Sequence, residues 1–269
     1  MAVNKLRNMF KLHYWPILTG LWFLIGFIIT FSLAILQNHV YIPFISDTGT
    51  TPPESCLFGQ VLNIGALLFT VTAYIRYRQV RFIQAMAEVN LNKFWNNLGL
   101  VIGILSSIGL TIVGNFQETS ILFIHLMGAG MTFGFGSAYM GVQSAISYFV
   151  RNFYEKHPEI NISNKILYSK IAVSVCCCLL VIVSGISILM ALAEFKGESI
   201  PCWSESEGGF TLKLVATVTE WCLAICFICY LFIFASEYKL IEYEEIRFRM
   251  KFATPGNGEK VVESLSLEK

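Results

Sequence analysis

The sequence predicts an all-α fold, a polytopic membrane bundle of about six transmembrane helices with cytosolic N- and C-termini. Three observations support this prediction: the composition, the number of long apolar stretches, and the positions of the basic residues. Of the 269 residues, 55% are hydrophobic and 14% are charged, and the mean hydropathy is +0.62. Soluble domains contain about one quarter charged residues. Lipid rather than water is therefore expected to surround much of this chain.

Six apolar stretches approach the roughly 20 residues that a helix needs to cross a bilayer. They lie at residues 15–36, 57–75, 98–113, 121–150, 171–193 and 212–235. We assign residues 1–240 to one six-span membrane domain, and residues 241–269 to a cytosolic tail that becomes polar and disordered toward its end. The first stretch is longer than the apolar core of a signal peptide and no small-residue cleavage site follows it, so we expect it to be retained.

The basic residues predict the orientation, because lysine and arginine next to a membrane span stay on the cytosolic side. With six spans, the cytosolic segments are the two termini and the loops after the second and fourth spans. These segments carry all but two of the 19 basic residues, the exceptions being Lys196 and Lys213. Both termini are therefore predicted to be cytosolic. The formal net charge of +1 gives no reason to expect a nucleic-acid partner, whereas membrane lipids are expected partners.

Two of the eight cysteines, Cys56 and Cys202, fall at the predicted luminal surface, where disulfides can form. A disulfide bond between them would tie the first luminal loop to the last, and two free thiols are the alternative. The other six lie in the fifth and sixth spans without an accompanying histidine or carboxylate set. We interpret these six as packing residues, and we predict neither a metal site nor a cofactor.

One acidic residue, Glu220, lies well inside the sixth span. Ionisable groups at membrane depth are costly and are candidates for function. Its candidate partners are His125, near the luminal end of the fourth span, Asn63, in the second span, and Gln143, in the fourth span. Two interpretations remain open: a proton-responsive group that faces an acidic lumen, or a structural glutamate whose hydrogen bonds are satisfied.

Small residues recur at every fourth position in the third and fourth spans. One stripe comprises Gly99, Gly103 and Ser107, and the other comprises Gly130, Gly134 and Ala138. Such stripes let two helix backbones approach closely. We predict internal helix packing for both stripes, with a homodimer face as the alternative.

The predicted tail contains Tyr243-Glu244-Glu245-Ile246, in which a bulky apolar residue follows a tyrosine at the third position. Cytosolic sorting adaptors recognise this pattern in lysosomal proteins, so Tyr243 and Ile246 form a candidate sorting motif. The alternative is an amphipathic extension of the sixth span, whose basic residues lie near anionic headgroups.

The loop between the first two spans is rich in residues that form turns. It reads Ile45-Ser46-Asp47-Thr48-Gly49, then Pro52-Pro53-Glu54-Ser55, then Phe58-Gly59. This pattern resembles the signature of the Frag1/DRAM/Sfk1 superfamily, and most closely that of the damage-regulated autophagy modulators, the DRAM family. The residues that carry the resemblance are Ser46, Asp47, Thr48, Gly49, Pro52, Pro53 and Glu54. Shorter blocks such as Glu220-Trp221 agree in the same order, although the family pattern has alanine where Gly114 stands.

The resemblance implies a lysosomal membrane protein with six spans that promotes autophagy, and that in some relatives is linked to stress-induced apoptosis. The resemblance does not decide whether this chain corresponds to the first or to the second paralogue of the family. It implies no catalytic residues, and the sequence shows neither a nucleophile motif nor metal-ligand spacing, so we expect no enzyme activity. Two alternatives remain: a plasma-membrane or Golgi protein that regulates phosphoinositide or GPI-lipid metabolism, and a proton-linked channel or transporter. A sorting adaptor on the tail, and a homodimer or another membrane protein, are candidate partners.

Overall fold

The computed structural model describes residues 11–86, 91–156, 163–239, 250–252 and 260–262 of the protein. The described residues form seven α-helices, numbered here in chain order. They are α1 Tyr14–Leu36, α2 Glu54–Ala85, α3 Lys93–Asn115, α4 Leu122–Gly130, α5 Gly136–Lys156, α6 Asn164–Glu194 and α7 Phe210–Tyr238. Single turns of 3₁₀-helix lie at Ser46–Gly49 and Glu205–Glu207. Two short strands, β1 Met250–Phe252 and β2 Lys260–Val262, pair antiparallel with Lys251 opposite Val261.

Five of these helices, α1, α2, α3, α6 and α7, are long and apolar enough to cross a membrane. The fourth predicted span is one helical rod that consists of α4, a π-helical turn at Met131–Phe135, and α5. The backbone stays helical at both junctions. Neither α4 nor α5 qualifies by itself as a membrane span, because α4 is short and α5 carries many polar residues. The predicted all-α membrane bundle is confirmed. The side of the membrane on which the termini lie stays a prediction.

Several helices extend beyond the apolar stretches of the sequence. α2 ends at Ala85 rather than near residue 75, and α6 begins at Asn164 rather than near residue 171. A polar helix end is stable outside hydrocarbon when its terminal backbone groups find partners. At the start of α6, for example, the Ser163 hydroxyl accepts a hydrogen bond from the backbone N–H of Lys165. Arg76 and Lys170 therefore lie on helices and are fully buried, although the sequence suggested loops for both.

The helices pack into a bundle with an aromatic core and an apolar periphery. α7 packs along α6 and α1, α2 packs between α1 and α3, and α5 packs against α3 and α6. In the core, the Tyr139 ring lies 5.4 Å from the Phe69 ring, edge to face, and 6.3 Å from the Phe234 ring. At the periphery, large apolar side chains such as Ile182 and Leu189 on α6 are exposed. A continuous apolar surface of this kind is covered by lipid.

The first stripe of small residues packs as predicted. A Cβ atom built on Gly99 would lie 2.7 Å from the side-chain nitrogen of Gln143, and one on Gly103 would lie 3.2 Å from the Tyr139 ring. The prediction of internal packing is wrong for the second stripe. Around Gly130 and Gly134 no atom lies within 4 Å of such a Cβ, because these residues border a cavity.

Candidate functional site

The loop with the family signature folds back into the mouth of the bundle. Asp47 stabilises its 3₁₀ turn, because Oδ2 accepts a hydrogen bond of 2.7 Å from the backbone N–H of Phe44. The turn packs tightly on α2, since a Cβ on Gly49 would lie 2.3 Å from the Phe58 ring. Glycine is therefore required at position 49 for the close approach of this turn to α2.

Further contacts hold the loop to the surrounding helices. The hydroxyl groups of Thr48 and Thr30 on α1 are 3.2 Å apart. The indole N–H of Trp221 on α7 donates to the carbonyl of Pro43 over 3.0 Å. Trp221 lies about ten residues into α7, roughly 15 Å along the helix axis at 1.5 Å per residue. The loop thus reaches well into the bundle from the end at which it lies. We call this end of the bundle the signature end, and its connecting segments are residues 37–53, 116–121 and 195–209.

Glu54, the first residue of α2, is fully buried and bonds through Oε1 to the His39 ring. This contact joins the end of α1 to the start of α2. Pro53 precedes the helix, and no side chain caps its first turn. Among the described residues, Glu54 Oε2 has no hydrogen-bond partner.

Asp47 and Glu118 form a buried carboxyl pair, Glu118 lying between α3 and α4. Ser46 Oγ donates to Glu118 Oε2 over 3.4 Å. In the part of the chain that the structure describes, Asp47 Oδ1 and Glu118 Oε1 have no N–H or O–H donor. The two carboxyl groups are instead within hydrogen-bonding reach of each other. That contact is attractive only when one carboxyl carries a proton, so we expect the pair to share a proton.

Burial is the main cause that raises the pKa of both groups. For Glu118, the nearby charge of Asp47 adds to burial, and the pKa rises well above its ordinary value of 4.5. Burial also raises the pKa of Asp47, although Lys213 and the backbone N–H of Phe44 oppose that rise. The pair thus keeps a proton at pH values at which exposed carboxyl groups are already ionised.

Three further ionisable groups surround the pair. Glu220 on α7 accepts a hydrogen bond from the backbone N–H of Ile45 and interacts electrostatically with both Asp47 and Glu118. Lys213 donates to the carbonyl of Ile42, and the ring of His125 pairs with the carbonyl of Phe116 at 2.7 Å. The structure therefore brings two of the residues singled out in the sequence, Glu220 and His125, into one region of the bundle.

The third intramembrane candidate, Asn63, lies elsewhere. Its amide pairs reciprocally with that of Asn115 on α3, at 3.0 and 3.4 Å. Sequence reasoning missed Glu118 because it follows the third span in a short connection, where an acidic residue is usually solvated. The signal that could have found it was its position four residues after Gly114, in another short block that resembles the family pattern.

We expect the contribution of Glu118 to the stability of the protein to fall as the pH rises above about 4.5, because its raised pKa makes the folded state bind more protons than the unfolded chain. One proton gives a slope of up to about 1.4 kcal/mol per pH unit. Glu118→Gln should flatten the dependence of the melting temperature between pH 5 and pH 7.5, measured on the purified protein in detergent. Lys213, His125, Glu220 and Asp47 remain in the variant, so the difference from the parent isolates the pair.

The control variant for this experiment is Glu155→Gln, which alters an exposed carboxylate that is paired with Arg151. It should keep the slope of the parent protein. An equal pH slope in Glu118→Gln and in the parent would contradict the shared proton.

A second polar cluster lies at the opposite end of the bundle and consists of Arg76 on α2, Lys170 on α6 and Glu237 on α7. All three side chains are at most 2% exposed. Arg76 Nη1 lies 3.1 Å from Glu237 Oε2, and Lys170 Nζ lies 2.9 Å from the same oxygen. One buried carboxylate thus bridges two buried cations.

Polar side chains complete the hydrogen bonds of this ion cluster. The Ser147 hydroxyl on α5 accepts from Arg76 at 2.9 Å and from Lys170 at 2.7 Å, and it lies 3.0 Å from Glu237 Oε1. Gln143 accepts from Arg76 Nε at 3.2 Å. The cluster therefore joins four helices, α2, α5, α6 and α7. This pairing could not be predicted from the sequence, because Arg76 directly follows one apolar stretch and Lys170 directly precedes another, positions where charges of cytosolic loops are also found.

The remaining sequence candidates are not part of either cluster. Cys56 and Cys202 are both exposed and free, and the Cys202 thiol faces the carbonyl oxygen of His39 at 3.6 Å. The bridge between them stays a prediction. Tyr243 and Ile246 lie outside the described residues. Within those residues, no group of three or more histidine, cysteine or carboxylate side chains could hold a metal ion.

A helical bundle with an apolar periphery and with buried clusters of ionisable groups near both of its ends is a polytopic integral membrane protein. The chain belongs to the Frag1/DRAM/Sfk1/Cwh43P family, because the profile of that family's N-terminal domain matches residues 11–241. The resemblance seen in the signature loop is confirmed.

Several named relatives are similar over most of their length. DNA damage-regulated autophagy modulator protein 2 of Mus musculus is 35% identical over 242 residues, which cover 86% of this chain and 85% of the relative. Protein 1 of the same name and organism is 32% identical, over 84% of this chain and 90% of the relative. The modulator of macroautophagy TMEM150B of Danio rerio is 30% identical, over 92% and 94% respectively. No solved structure matches the chain.

Proposed function

We propose that this protein is a lysosomal membrane protein that promotes autophagy, with a link to stress-induced apoptosis and without enzyme activity of its own. The observation that carries the proposal is the similarity, over 84–92% of the chain, to proteins named as modulators of autophagy. The carboxyl pair at the signature end gives physical support. A group that retains a proton more strongly than a free carboxyl group suits a surface that faces an acidic lumen.

The proposal is tested by the location of the protein and by autophagic flux in the same cells. We expect the protein, tagged at its C-terminus and expressed at low level, to coincide with lysosomal markers. Cells that lack it should accumulate less lipidated autophagosome marker when lysosomal degradation is blocked, and the parent protein should restore that accumulation. Unchanged flux in the deficient cells would count against a role in autophagy.

The same imaging experiment tests the sorting motif. In the Tyr243→Ala variant, the signal should move to the cell surface if an adaptor reads Tyr243 and Ile246. Lysosomal signal that does not move would discard the motif and leave the proposed function intact. Signal of the parent protein confined to the plasma membrane or the Golgi would instead favour the alternative, regulation of phosphoinositide or GPI-lipid metabolism.

A further inference from the structure

The rod formed by α4, the π turn and α5 separates from α6 toward the signature end. At one end of the rod, α5 packs against α6. The π turn touches α6 only weakly, and α4, at the other end, packs on α3 instead. The π turn at Met131–Phe135 is where the rod changes neighbours. A π turn inside a helix frequently marks a functional position, because the extra residue alters the direction of the side chains around it.

The space left between the rod and α6 is a cavity of about 280 Å³. Three glycines from both sides border it: Gly130 and Gly134 on the rod, and Gly185 on α6. No atom lies within 4 Å of a Cβ built on any of them, so the absence of side chains at these positions keeps the cavity open. An apolar cavity of about 150 Å³ binds benzene. The cavity here is almost twice that size and can hold an aliphatic chain.

The walls of the cavity are mainly aliphatic and aromatic, and one end is polar. Glu118, Glu220 and His125 lie at that end. Lys213 interacts electrostatically with both glutamates, but it already donates to the carbonyl of Ile42. Glu118 Oε1 is buried without an N–H or O–H donor among the described residues. The polar end therefore offers carboxyl oxygens to a group that brings positive charge and N–H donors.

We propose that this cavity binds a single-chain membrane amphiphile with a primary ammonium head, a long-chain base. The aliphatic chain lies between the rod and α6, alongside the three glycines, and the ammonium group lies between Glu118 and Glu220. The complementarity is of two kinds. The apolar walls pack against the aliphatic chain of the amphiphile. Its ammonium group has three N–H donors for carboxyl oxygens that otherwise need a shared proton.

The test uses photoactivatable, clickable sphingosine as the probe, added to the purified full-length protein in nanodiscs. A fatty acid of equal chain length that carries the same photoactivatable and clickable groups is the matched probe with the opposite charge. We expect sphingosine to label the protein at least about tenfold more than the fatty acid, with the attached peptides coming from α4 to α6. Equal labelling by both probes would overturn the choice of an ammonium head.

Variants separate the cavity from general adsorption to the apolar surface. Gly134→Leu and Gly185→Leu place side chains in the cavity and should each reduce sphingosine labelling at least about fivefold. Gly141→Leu is the matched control, because Gly141 also has open space around it but does not border the cavity. It should label like the parent protein.

The head-group contact is tested by Glu220→Gln, which should reduce sphingosine labelling but leave the labelling by an uncharged alcohol probe of equal length unchanged. The melting temperature of each variant is measured in parallel, so that loss of fold is not mistaken for loss of binding. The site would be refuted if Gly134→Leu and Gly141→Leu reduced the labelling to the same degree. It would also be refuted if neither variant reduced the labelling.

Discussion

Replacing Glu237 by glutamine is expected to destabilise the folded bundle by about 3–5 kcal/mol, the usual cost of removing one partner of a buried ion pair. The glutamine preserves the size of the side chain and removes the charge. It leaves Arg76 and Lys170, both fully buried, without the carboxylate that lies between them. At about 2–4 °C per kcal/mol for a chain of this size, the melting temperature should fall by about 6–20 °C.

The measurement is thermal unfolding of the purified protein in detergent, followed by tryptophan fluorescence. Glu155→Gln is the matched control, since the ion pair of Glu155 with Arg151 has similar geometry, at 3.1 Å, but is exposed. Exposed pairs contribute about 0–1 kcal/mol. Equal shifts in the two variants would mean that the buried cluster does not stabilise the bundle as described.

A triple variant distinguishes loss of charge balance from loss of packing. Arg76→Met, Lys170→Met and Glu237→Leu together remove all three charges and keep apolar side chains of similar length. Replacement of a whole buried ion cluster by packed apolar residues is often neutral or stabilising. The triple variant should therefore be more stable than Glu237→Gln alone. If it is less stable, the polar network contributes more than the neutralisation of its charges.

Gly109→Ala should destabilise the protein by about 1–3 kcal/mol, the usual cost of overpacking. Gly109 lies where α3 crosses the junction between α4 and the π turn. A Cβ at this position would lie 2.5 Å from the backbone nitrogen of Thr132 and 2.7 Å from the carbonyl oxygen of Gly128. Both are backbone atoms, so a side-chain rotation cannot relieve the clash and the two helices must separate.

Gly141→Ala provides the control with the same chemical change, again inside a helix. No atom lies within 4 Å of the added methyl group. Alanine lowers the conformational entropy of the unfolded chain and is favoured in a helix over glycine by about 0.5–1 kcal/mol. The two variants should thus shift the melting temperature in opposite directions. A shift of the same sign and size would show that the crossing at Gly109 is not close-packed.

The signature loop shows how far the sequence could predict the candidate site. Its turn-forming residues and its resemblance to a family identified Asp47 and Glu54 as residues of interest, and both are buried. The partner of Asp47 could not be predicted, because Glu118 is 71 positions away and belongs to a different connection. The identity of a buried carboxyl's neighbour depends on how the helices are arranged, and a local sequence pattern does not contain that arrangement.

The sequence by itself determined that the chain is a helical membrane bundle, because six apolar stretches of this length can satisfy their backbone hydrogen bonds in lipid only as helices. It also determined the family, through a loop whose turn residues are specific. Only the tertiary structure decided which charges are paired, since Arg76 and Glu237 meet across 161 positions. It also decided that Gly99 packs against a neighbouring helix while Gly134 borders a cavity. The physical reason is the same in both cases: a small or charged residue has no fixed role until the surface that faces it is known.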